Sequence, residues 1–371
     1  MVNLLPMATQ DLLWQVTRNE NAKSDAERAE ILANPGFGKF FTDHMVDVCW
    51  SENGGWHRPR VQPYGPISIQ PSAAVLHYAQ EVFEGLKAYR HADGSIWSFR
   101  PEQNAARMQR SARRLALPEL PVEYFLDSIK QLIAVDGAWV PDAAETSLYL
   151  RPFMWAKEAF LGVRAAAKVN YNVIASPAGA YFSGGVEPVS IWLSTEFTRA
   201  GRGGMGAAKT GGNYASSLLP QQEAYENGCA QVLFLDGQEG VYLEELGGMN
   251  VVLVTKDKTL LTPDSGSILE GITLDSILKL GRDRGYKVEQ RAIPISEWRE
   301  GAESGEIVEA FACGTAAVVV PISDIKSSSF GIWMPEPEER ISLSLRQELT
   351  DIQYGRAADR HGWMTRLDEE L

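Results

Sequence analysis

The segment around one lysine carries the residue types best suited to chemistry. Residues 201–213 read GRGGMGAAKTGGN, and Lys209 stands between two groups of glycines. The first six of these residues match the GxGxxG pattern of dinucleotide-binding sites, but that motif needs a strand before it and a long helix after it, and neither is predicted here. A P-loop needs a glycine directly before the lysine, where Ala208 stands. The residues alone leave two interpretations: an exposed loop with a solvated lysine, or a lysine held where glycine lets the backbone approach a ligand closely.

Charged residues elsewhere in the chain could complete such a site. The stretch EELGGMN at 244–250 holds two glutamates, although an isolated glutamate is usually a solvated surface charge. Residues 102–117 predict a helix with four arginines, Arg107 among them, which spacing alone does not tell apart. Another predicted helix begins near Thr273, and the N–H groups at a helix N-terminus bind anions. Because the whole chain is acidic, an anionic ligand would need positive charge that is concentrated locally.

The composition excludes several classes of protein. The chain has 371 residues, a net charge of −13 and 44% hydrophobic residues, which excludes wholesale disorder and disfavours binding to nucleic acids or anionic membranes. No apolar run approaches the ~18 residues of a membrane-spanning helix, and the N-terminal residues do not resemble a signal peptide. The histidines show no metal-binding spacing, so we expect no metal site. Three scattered cysteines fit a reducing compartment, and we expect a cytoplasmic protein. They are Cys49, Cys229 and Cys313.

The spacing of apolar residues and the turn residues predict the helices and strands that must position these residues. In the first half, residues 42–50 predict a strand, residues 86–99 a β-hairpin with a turn at Asp93-Gly94, and residues 125–135 a second helix. Further strands are predicted at 148–153 and 169–175.

In the second half, strands are predicted at 189–194, 231–236, 250–255, 287–293 and 316–320. A helix is predicted from Thr273 to just before Gly285, and a last helix at 343–354.

The glycines and prolines at 176–188 mark a hinge between two parts of the chain. We therefore expect an α+β protein with an N-terminal domain at 1–182, whose first 36 residues form a loose lead-in, a linker at 183–189 and a C-terminal domain at 190–371.

Five sequence motifs, in order, give the chain a family resemblance. They are EVFEGLKAYR (81–90), KTGGNYASSLLPQQEA (209–224), EELGGMN (244–250), EGITLDSIL (270–278) and CGTAAVVVPI (313–322). Together they resemble the branched-chain-amino-acid aminotransferases, which are pyridoxal-phosphate (PLP) enzymes of fold type IV. The resemblance extends from about Phe37 to residue 355, and it is stronger to the longer, eukaryote-like branch of the family. It implies two α+β domains with mainly β cores, the larger C-terminal one binding PLP.

The resemblance also implies a role for individual residues toward the cofactor. Lys209 would hold PLP as a Schiff base and move a proton between the substrate and the cofactor. Glu245 would keep the pyridine nitrogen protonated, and Tyr214 would donate to the phenolate oxygen. Glu244, next to Glu245, is expected to be structural. The residues implied to contact the phosphate are Arg107, Ile272, Thr273 and Thr315.

The resemblance also implies residues that bind the substrates. The aromatic residues it places around the side-chain pocket are Phe37, Tyr78, Phe83, Tyr149 and Tyr181, although each could equally be an ordinary core residue. Arg151 would bind the distal carboxylate of glutamate, and the amides of Thr315 and Ala316 the α-carboxylate. The loop 161–163, with Val163, would reach into the neighbouring subunit of a homodimer.

Two places depart from the family pattern. Gly248 stands where longer members have threonine, which implies that one pocket wall is smaller or more mobile. Ala317 and Val320 replace a Cys-x-x-Cys pair of mammalian members, so we expect no thiol switch, and Cys313 is expected to be a buried small residue.

The expected activity is the reversible transfer of the amino group of L-leucine, L-isoleucine or L-valine to 2-oxoglutarate. Another fold type IV enzyme, a D-amino-acid aminotransferase or an aminodeoxychorismate lyase, is the main alternative. Remote alternatives are a nicotinamide-dependent oxidoreductase and a non-catalytic protein that keeps the scaffold.

Overall fold

Two β-sheets form the framework of the chain in a computed structural model that describes residues 13–179 and 186–369. The strands before residue 179 are β1 (Gln15–Val16), β2 (His44–Ser51), β3 (Gly55–Pro63), β4 (Glu81–Phe83), β5 (Leu86–Arg90), β6 (Ile96–Phe99), β7 (Ser147–Ala156) and β8 (Lys168–Ala178). Those after residue 186 are β9 (Val189–Ser194), β10 (Gln231–Leu235), β11 (Leu243–Leu246), β12 (Asn250–Thr255), β13 (Thr259–Pro263), β14 (Lys287–Arg291), β15 (Ile307–Gly314), β16 (Val318–Lys326), β17 (Gly331–Trp333) and β18 (Met364–Arg366).

Helices flank both sheets. They are α1 (Asp25–Ala33), α2 (Ala74–Tyr78), α3 (Pro101–Arg114), α4 (Val122–Asp136), α5 (Gly211–Ser216), α6 (Leu218–Glu226), α7 (Ile272–Asp283), α8 (Ile295–Ser304) and α9 (Ile341–Gln353), with a 3₁₀ turn at Gly137–Trp139. Within the described ranges, none is long and apolar enough to cross a membrane.

The first sheet has the order β1-β3-β2-β8-β7-β5-β6-β18, with β4 pairing to β7. All of its pairs are antiparallel except β1 with β3. The second sheet has the order β11-β10-β9-β16-β15-β12-β13-β14, with β17 pairing to β16. Its parallel pairs are β9 with β10, β9 with β16 and β13 with β14. The α+β architecture expected from the sequence is confirmed.

The last strand does not follow the predicted domain division. β18 pairs with β6, so residues 364–366 lie in the first sheet, whereas the sequence assigned the whole of 190–371 to the second domain. A three-residue strand has too little periodicity to reveal its partner, and long-range pairing decides its place. The predicted linker at 183–189 falls partly outside the described residues, and that boundary stays a prediction.

Most of the predicted elements are confirmed. The hairpin forms as β5 and β6, and the helix that was expected from Thr273 is α7, followed by Gly285 at φ +82°. Helix α3 ends at Arg114 instead of residue 117, because the chain turns through Ala116 at φ +52°. Strands β3 and β15 and helix α8 lack a clean apolar period and were not predicted.

A shared apolar cluster joins the two sheets. Tyr89 and Phe99 of the first sheet pack with Val252 of the second, and α9 contributes Leu349 and Ile352. Side chains from both halves are therefore buried together in one apolar core.

The glycine-rich loop passes close to other backbone before it reaches Lys209. It runs from the end of β9 to α5, and Gly206 lies so near the Ser267 carbonyl that any Cβ at this position would overlap it. Its own carbonyl accepts a 2.9 Å hydrogen bond from Arg199. The predicted close approach therefore exists, but here the partner is backbone and not a ligand.

Gly206→Ala should destabilise the fold by about 1–3 kcal/mol, because the added methyl group meets a backbone carbonyl that cannot move aside. Gly201→Ala is the matched control, since a Cβ there meets nothing within 4 Å. Urea unfolding of the two variants measures the difference. Equal stability would mean that the loop is free to shift.

Candidate active site

Lys209 lies where the two sheets face one another. Its Nζ is 3.0 Å from the hydroxyl of Tyr214, which lies on α5, and 5.1 Å from the ring centre of Phe83. Its backbone N–H donates to Ser111 Oγ of α3 at 2.9 Å, and its carbonyl accepts from the N–H of Phe83 at 3.0 Å. The lysine is partly buried and fixed from both halves of the chain, so the exposed-loop interpretation is wrong.

Glu245 lies on β11 and is 4% exposed. Its Oε1 accepts from the N–H of Leu269 at 2.8 Å and lies 2.7 Å from the guanidinium of Arg199. The amide of Asn250 donates to Oε2 over a longer 3.3 Å. Burial raises the pKa of Glu245 to about 7, although Arg199 and Lys209 both act to lower it. A further cationic group at this carboxylate would favour its ionised form.

Glu244 is buried and faces the other side of the same strand, as alternation along a strand requires. The hydroxyl of Ser267 donates to it, and Ser265 lies 3.4 Å away. Burial raises its pKa. These local bonds agree with its predicted structural role.

A buried ion pair joins Arg107 of α3 to Glu84, the residue after β4. Two hydrogen bonds of 2.8 Å connect the guanidinium to the two carboxylate oxygens, and Asn104 donates to the same carboxylate at 2.8 Å. Burial alone would raise the pKa of Glu84, but the charge and hydrogen bonds of Arg107 hold it below its usual value. A third nitrogen of Arg107 donates to the carbonyl of Glu270 at 3.1 Å. This arginine is thereby fixed next to the start of α7.

The residues expected around an anion lie together beside this pair. Ile272, Thr273 and Thr315 line one small cavity of about 20 Å³, together with Asn104. No side chain caps the N-terminus of α7, so its first N–H groups have no capping partner from a side chain. Gly271 precedes them and lies against the Asn250 amide, where a Cβ would overlap. An uncapped helix start beside a fixed arginine can hold a phosphate.

An aromatic cluster lies next to Lys209. The ring of Phe37 meets that of Tyr149 edge-on at 5.1 Å, and the rings of Phe83 and Tyr214 lie 5.0 Å apart. Arg151 stacks on this cluster, since its guanidinium carbon lies 4.7 Å from the centre of Phe83 and 5.3 Å from that of Tyr149. Three of the five aromatic residues predicted for the pocket therefore lie together near the lysine.

The position of Gly248 is also next to this cluster. A Cβ at Gly248 would stand 3.9 Å from the ring of Tyr214, which is ordinary contact. The missing side chain therefore leaves space beside the tyrosine that neighbours Lys209.

Two predicted substrate residues, Tyr78 and Val163, are not gathered at this place. The hydroxyl of Tyr78 donates to the carbonyl of Leu161, and Val163 is 88% exposed. Both therefore lie at the surface of the single chain. Tyr181 lies outside the described residues. Ala316 follows Thr315 in the turn after β15, and its carbonyl accepts from Lys87 at 2.9 Å.

Sequence reasoning missed several residues that fix the site. Glu84 stands within the quoted motif EVFEGLK, and its place between apolar residues could have signalled burial. Arg199 lies in a polar stretch and has no such signal. Ser111 is, in the sequence, only one polar residue of a predicted helix. Each of them acts on a residue distant in sequence, which a local pattern does not reveal.

Comparisons with known proteins identify the family of this chain. The model of the family described as amino-transferase class IV matches residues 81–325. The branched-chain-amino-acid aminotransferase of Mycolicibacterium smegmatis is 58% identical over 96% of this chain and 99% of its own length. That of Mycobacterium tuberculosis is 57% identical over 97% of this chain and 100% of its own length.

Solved structures of the same kind share the fold. The Escherichia coli branched-chain amino acid aminotransferase has a TM-score of 0.71 and 25% identity, covering 87% of this chain and 99% of that one. The T.th. enzyme with pyridoxamine 5'-phosphate has a TM-score of 0.70 and 28% identity over the same shares. Sequence and structure thus agree along nearly the whole length, and the chain belongs to the branched-chain-amino-acid aminotransferases within the class IV aminotransferase family.

Proposed function

We propose that this protein reversibly transfers the amino group of L-leucine, L-isoleucine or L-valine to 2-oxoglutarate, with PLP as cofactor and Lys209 as the group that moves the proton. The observation that carries the proposal is the amine of Lys209 at 3.0 Å from the Tyr214 hydroxyl, with its charge acting on the buried carboxylate of Glu245. The names of the similar proteins support the choice of substrates.

The residues of the site fit PLP group by group. A phosphate suits the uncapped start of α7 with Arg107 and Thr315 beside it. A pyridine nitrogen suits Glu245, whose raised pKa of about 7 reflects a buried carboxyl with too little positive charge of its own. A phenolic oxygen suits the hydroxyl of Tyr214. When bound, PLP supplies a ring that stabilises the negative charge developing on the substrate α-carbon.

Lys209 would act as the general base and acid. Its amine is held by Tyr214 and by the face of Phe83, so its direction is set before substrate arrives. The Lys209 amine would accept the proton of the substrate α-carbon and hold it for return.

Glu245 would face the ring nitrogen and hold a proton there. Leu269 N–H and Arg199 fix one carboxylate oxygen, while Oε2 has only the long bond from Asn250. That second oxygen is the one free to accept a short bond.

Arg107 would bind the phosphate in a direction that Glu84 sets. Because two of its nitrogens are bound to Glu84 and one to the Glu270 carbonyl, the guanidinium has little rotational freedom to lose on binding.

The substrate pocket must accept an apolar side chain and then a carboxylate. The rings of Phe37, Phe83 and Tyr149 would contact the branched side chain. Arg151 would bind the distal carboxylate of glutamate or 2-oxoglutarate, and its buried Nε has no hydrogen-bond partner in the described chain. The amides of Thr315 and Ala316 would hold the α-carboxylate.

We also propose a homodimer in the cytoplasm. Leu161 is 68% exposed and Val163 88%, beside the partly exposed Tyr78, and a second copy would cover this apolar loop region and receive it at its own site. The three cysteines of the chain are free and buried, which suits a reducing compartment.

The near-visible absorption spectrum of the purified holoprotein tests the substrates directly. L-leucine should abolish the yellow absorption of the bound cofactor, and 2-oxoglutarate should restore it. D-leucine in place of L-leucine is the control, because a D-amino-acid aminotransferase would respond to it instead. Pyruvate release from aminodeoxychorismate would favour the lyase. A protein that stays colourless with PLP would contradict the proposal.

Lys209→Ala should reduce turnover at least 10²–10⁴-fold, the usual contribution of a positioned acid–base group. The fold should persist, because Lys209 is only partly buried and the hydroxyl of its partner Tyr214 can bond to water instead. Lys287→Ala, which removes an exposed lysine 3.4 Å from Asp257, is the matched control and should keep wild-type activity. Steady-state transamination with far-UV circular dichroism measures both; wild-type turnover by Lys209→Ala would overturn its role.

Glu245→Gln should reduce activity and change how apoprotein stability depends on pH. The pKa of Glu245 is near 7 in the folded chain and near 4.5 otherwise, so the folded state binds the extra proton and wild-type stability falls as pH rises between these values. A glutamine side chain does not ionise, so the stability of the variant does not fall in this way as the pH rises. Relative to wild type, the variant should gain on the order of 3 kcal/mol between pH 4.5 and about pH 8. Urea unfolding at both pH values measures the gain, and Glu303→Gln, on the exposed face of α8, should show none.

A further inference from the structure

The turn that carries Thr315 and Ala316 has a strained backbone. Residues 315–317 connect β15 to β16, and Gly314 pairs with Val318 across the hairpin. Short hairpin loops commonly end with a residue in a left-handed conformation, which favours glycine. Here Val318 holds it, at φ +64°. A β-branched residue in this region is strained, and such a conformation persists only where neighbouring groups enforce it.

One side chain from the other sheet holds this turn. Lys87 on β5 extends across the space between the sheets, and its Nζ donates to the carbonyl of Ala316 at 2.9 Å. Because a peptide unit is planar, fixing this carbonyl fixes the peptide that follows Ala316. In so short a loop, little freedom then remains for the amides of Thr315 and Ala316.

Within the described part of the chain, Lys87 forms no ion pair with a carboxylate. The nearest acid, Glu145, is bound through both oxygens to Arg346, at 2.9 and 2.8 Å. Burial and, to a lesser extent, the charge of Arg346 lower the pKa of Lys87 to about 8, while Glu145 acts to raise it, so the amine still carries its proton at neutral pH. The hydrogen bond to the turn is therefore one from a charged donor, which is stronger than a neutral one.

The surroundings of Lys87 connect it to the cofactor site. Lys87 and Val318 line two cavities of about 20 Å³ each. The first also touches Ile272, Thr273 and Thr315, and the second touches Ala316. Lys87 thus lines the same small cavities as the residues expected to meet the phosphate and the substrate carboxylate.

We propose that Lys87 is a positioning residue, which holds the turn 315–317 before the strained Val318 so that the amides of the turn face the phosphate and the α-carboxylate. This proposal rests on the proposed function, because it assumes that both anions bind at the turn. Lys87 touches neither anion in this role; it acts through the Ala316 carbonyl.

Lys87→Met tests the role, since methionine keeps an unbranched stem and loses the donor. The KM for L-leucine and the Kd of PLP should each rise about 10- to 100-fold, the size expected for loss of a hydrogen bond to a charged group. The kcat should change much less, because Lys209 and Tyr214 stay in place. Hydrogen exchange of the apoprotein should become faster in the peptide that covers 314–319.

Two variants separate positioning from general loosening. Tyr354→Phe removes a 2.9 Å bond from Tyr354 to the Thr146 carbonyl at the same cavity without touching the turn, and it should leave KM, Kd and exchange at 314–319 unchanged. Lys87→Arg keeps a charged donor, and the adjoining cavities leave it room; it should restore most of the affinity even if Lys87→Met folds poorly.

The outcomes are distinct from those that test the reaction. A Lys87→Met protein with unchanged exchange at 314–319 and unchanged PLP affinity overturns the positioning role, as does a Lys87→Arg protein as impaired as Lys87→Met. Failure of the proposed function would instead appear in the wild-type protein, as a lack of response to L-leucine, while the exchange measurement on the apoprotein would still report on the turn.

Discussion

The carboxylate of Glu84 and the guanidinium of Arg107 meet through two hydrogen bonds at a place that solvent does not reach, and much of the site depends on that contact. Neither charge is stable there alone, because removing one partner of a buried pair leaves an uncompensated charge that costs several kcal/mol. The pair fixes α3 against β4. It also brings Arg107 to the Glu270 carbonyl and hence to the first turn of α7. Helix α3 of the first half is thereby tied to the start of α7 in the second half.

The same principle applies to the other buried charges around Lys209. Glu245 has Arg199, but burial still raises its pKa to about 7, whereas Glu84 with its two-pronged partner has a lowered pKa. The difference is physical: Arg107 meets both oxygens of Glu84, and Arg199 meets one oxygen of Glu245 while also binding backbone carbonyls. The charge of Glu84 is compensated by Arg107 without a ligand, and the pair holds α3 against β4. Glu245 keeps an incomplete environment that a cationic ring nitrogen would satisfy.

Backbone proximity is the second constraint on the site. Gly206 and Gly271 lie where a Cβ would overlap Ser267 and Asn250, so the loop before Lys209 and the start of α7 approach their neighbours more closely than other residues allow. Val318 shows the opposite case, since a bulky residue occupies a conformation suited to glycine. At Gly206 and Gly271, glycine avoids an overlap with neighbouring atoms. At Val318, the strained conformation follows the turn whose Ala316 carbonyl accepts a hydrogen bond from Lys87 of the other sheet.

The sequence by itself determined the local elements and the family. The Asp93-Gly94 turn, the apolar period of α7 and the five motifs are local properties, and they predicted the hairpin, the helix and the residues Lys209, Tyr214, Arg107 and Glu245. Only the tertiary structure decided which of four arginines has a buried partner and that β18 returns to the first sheet. It also decided that Arg199 pairs with Glu245 and that Lys87 donates to the Ala316 carbonyl. These contacts join residues far apart in the chain, by 229 positions for Lys87 and Ala316. Neighbouring residues carry no record of such pairs, because burial and charge compensation are set by the packing of the two halves together.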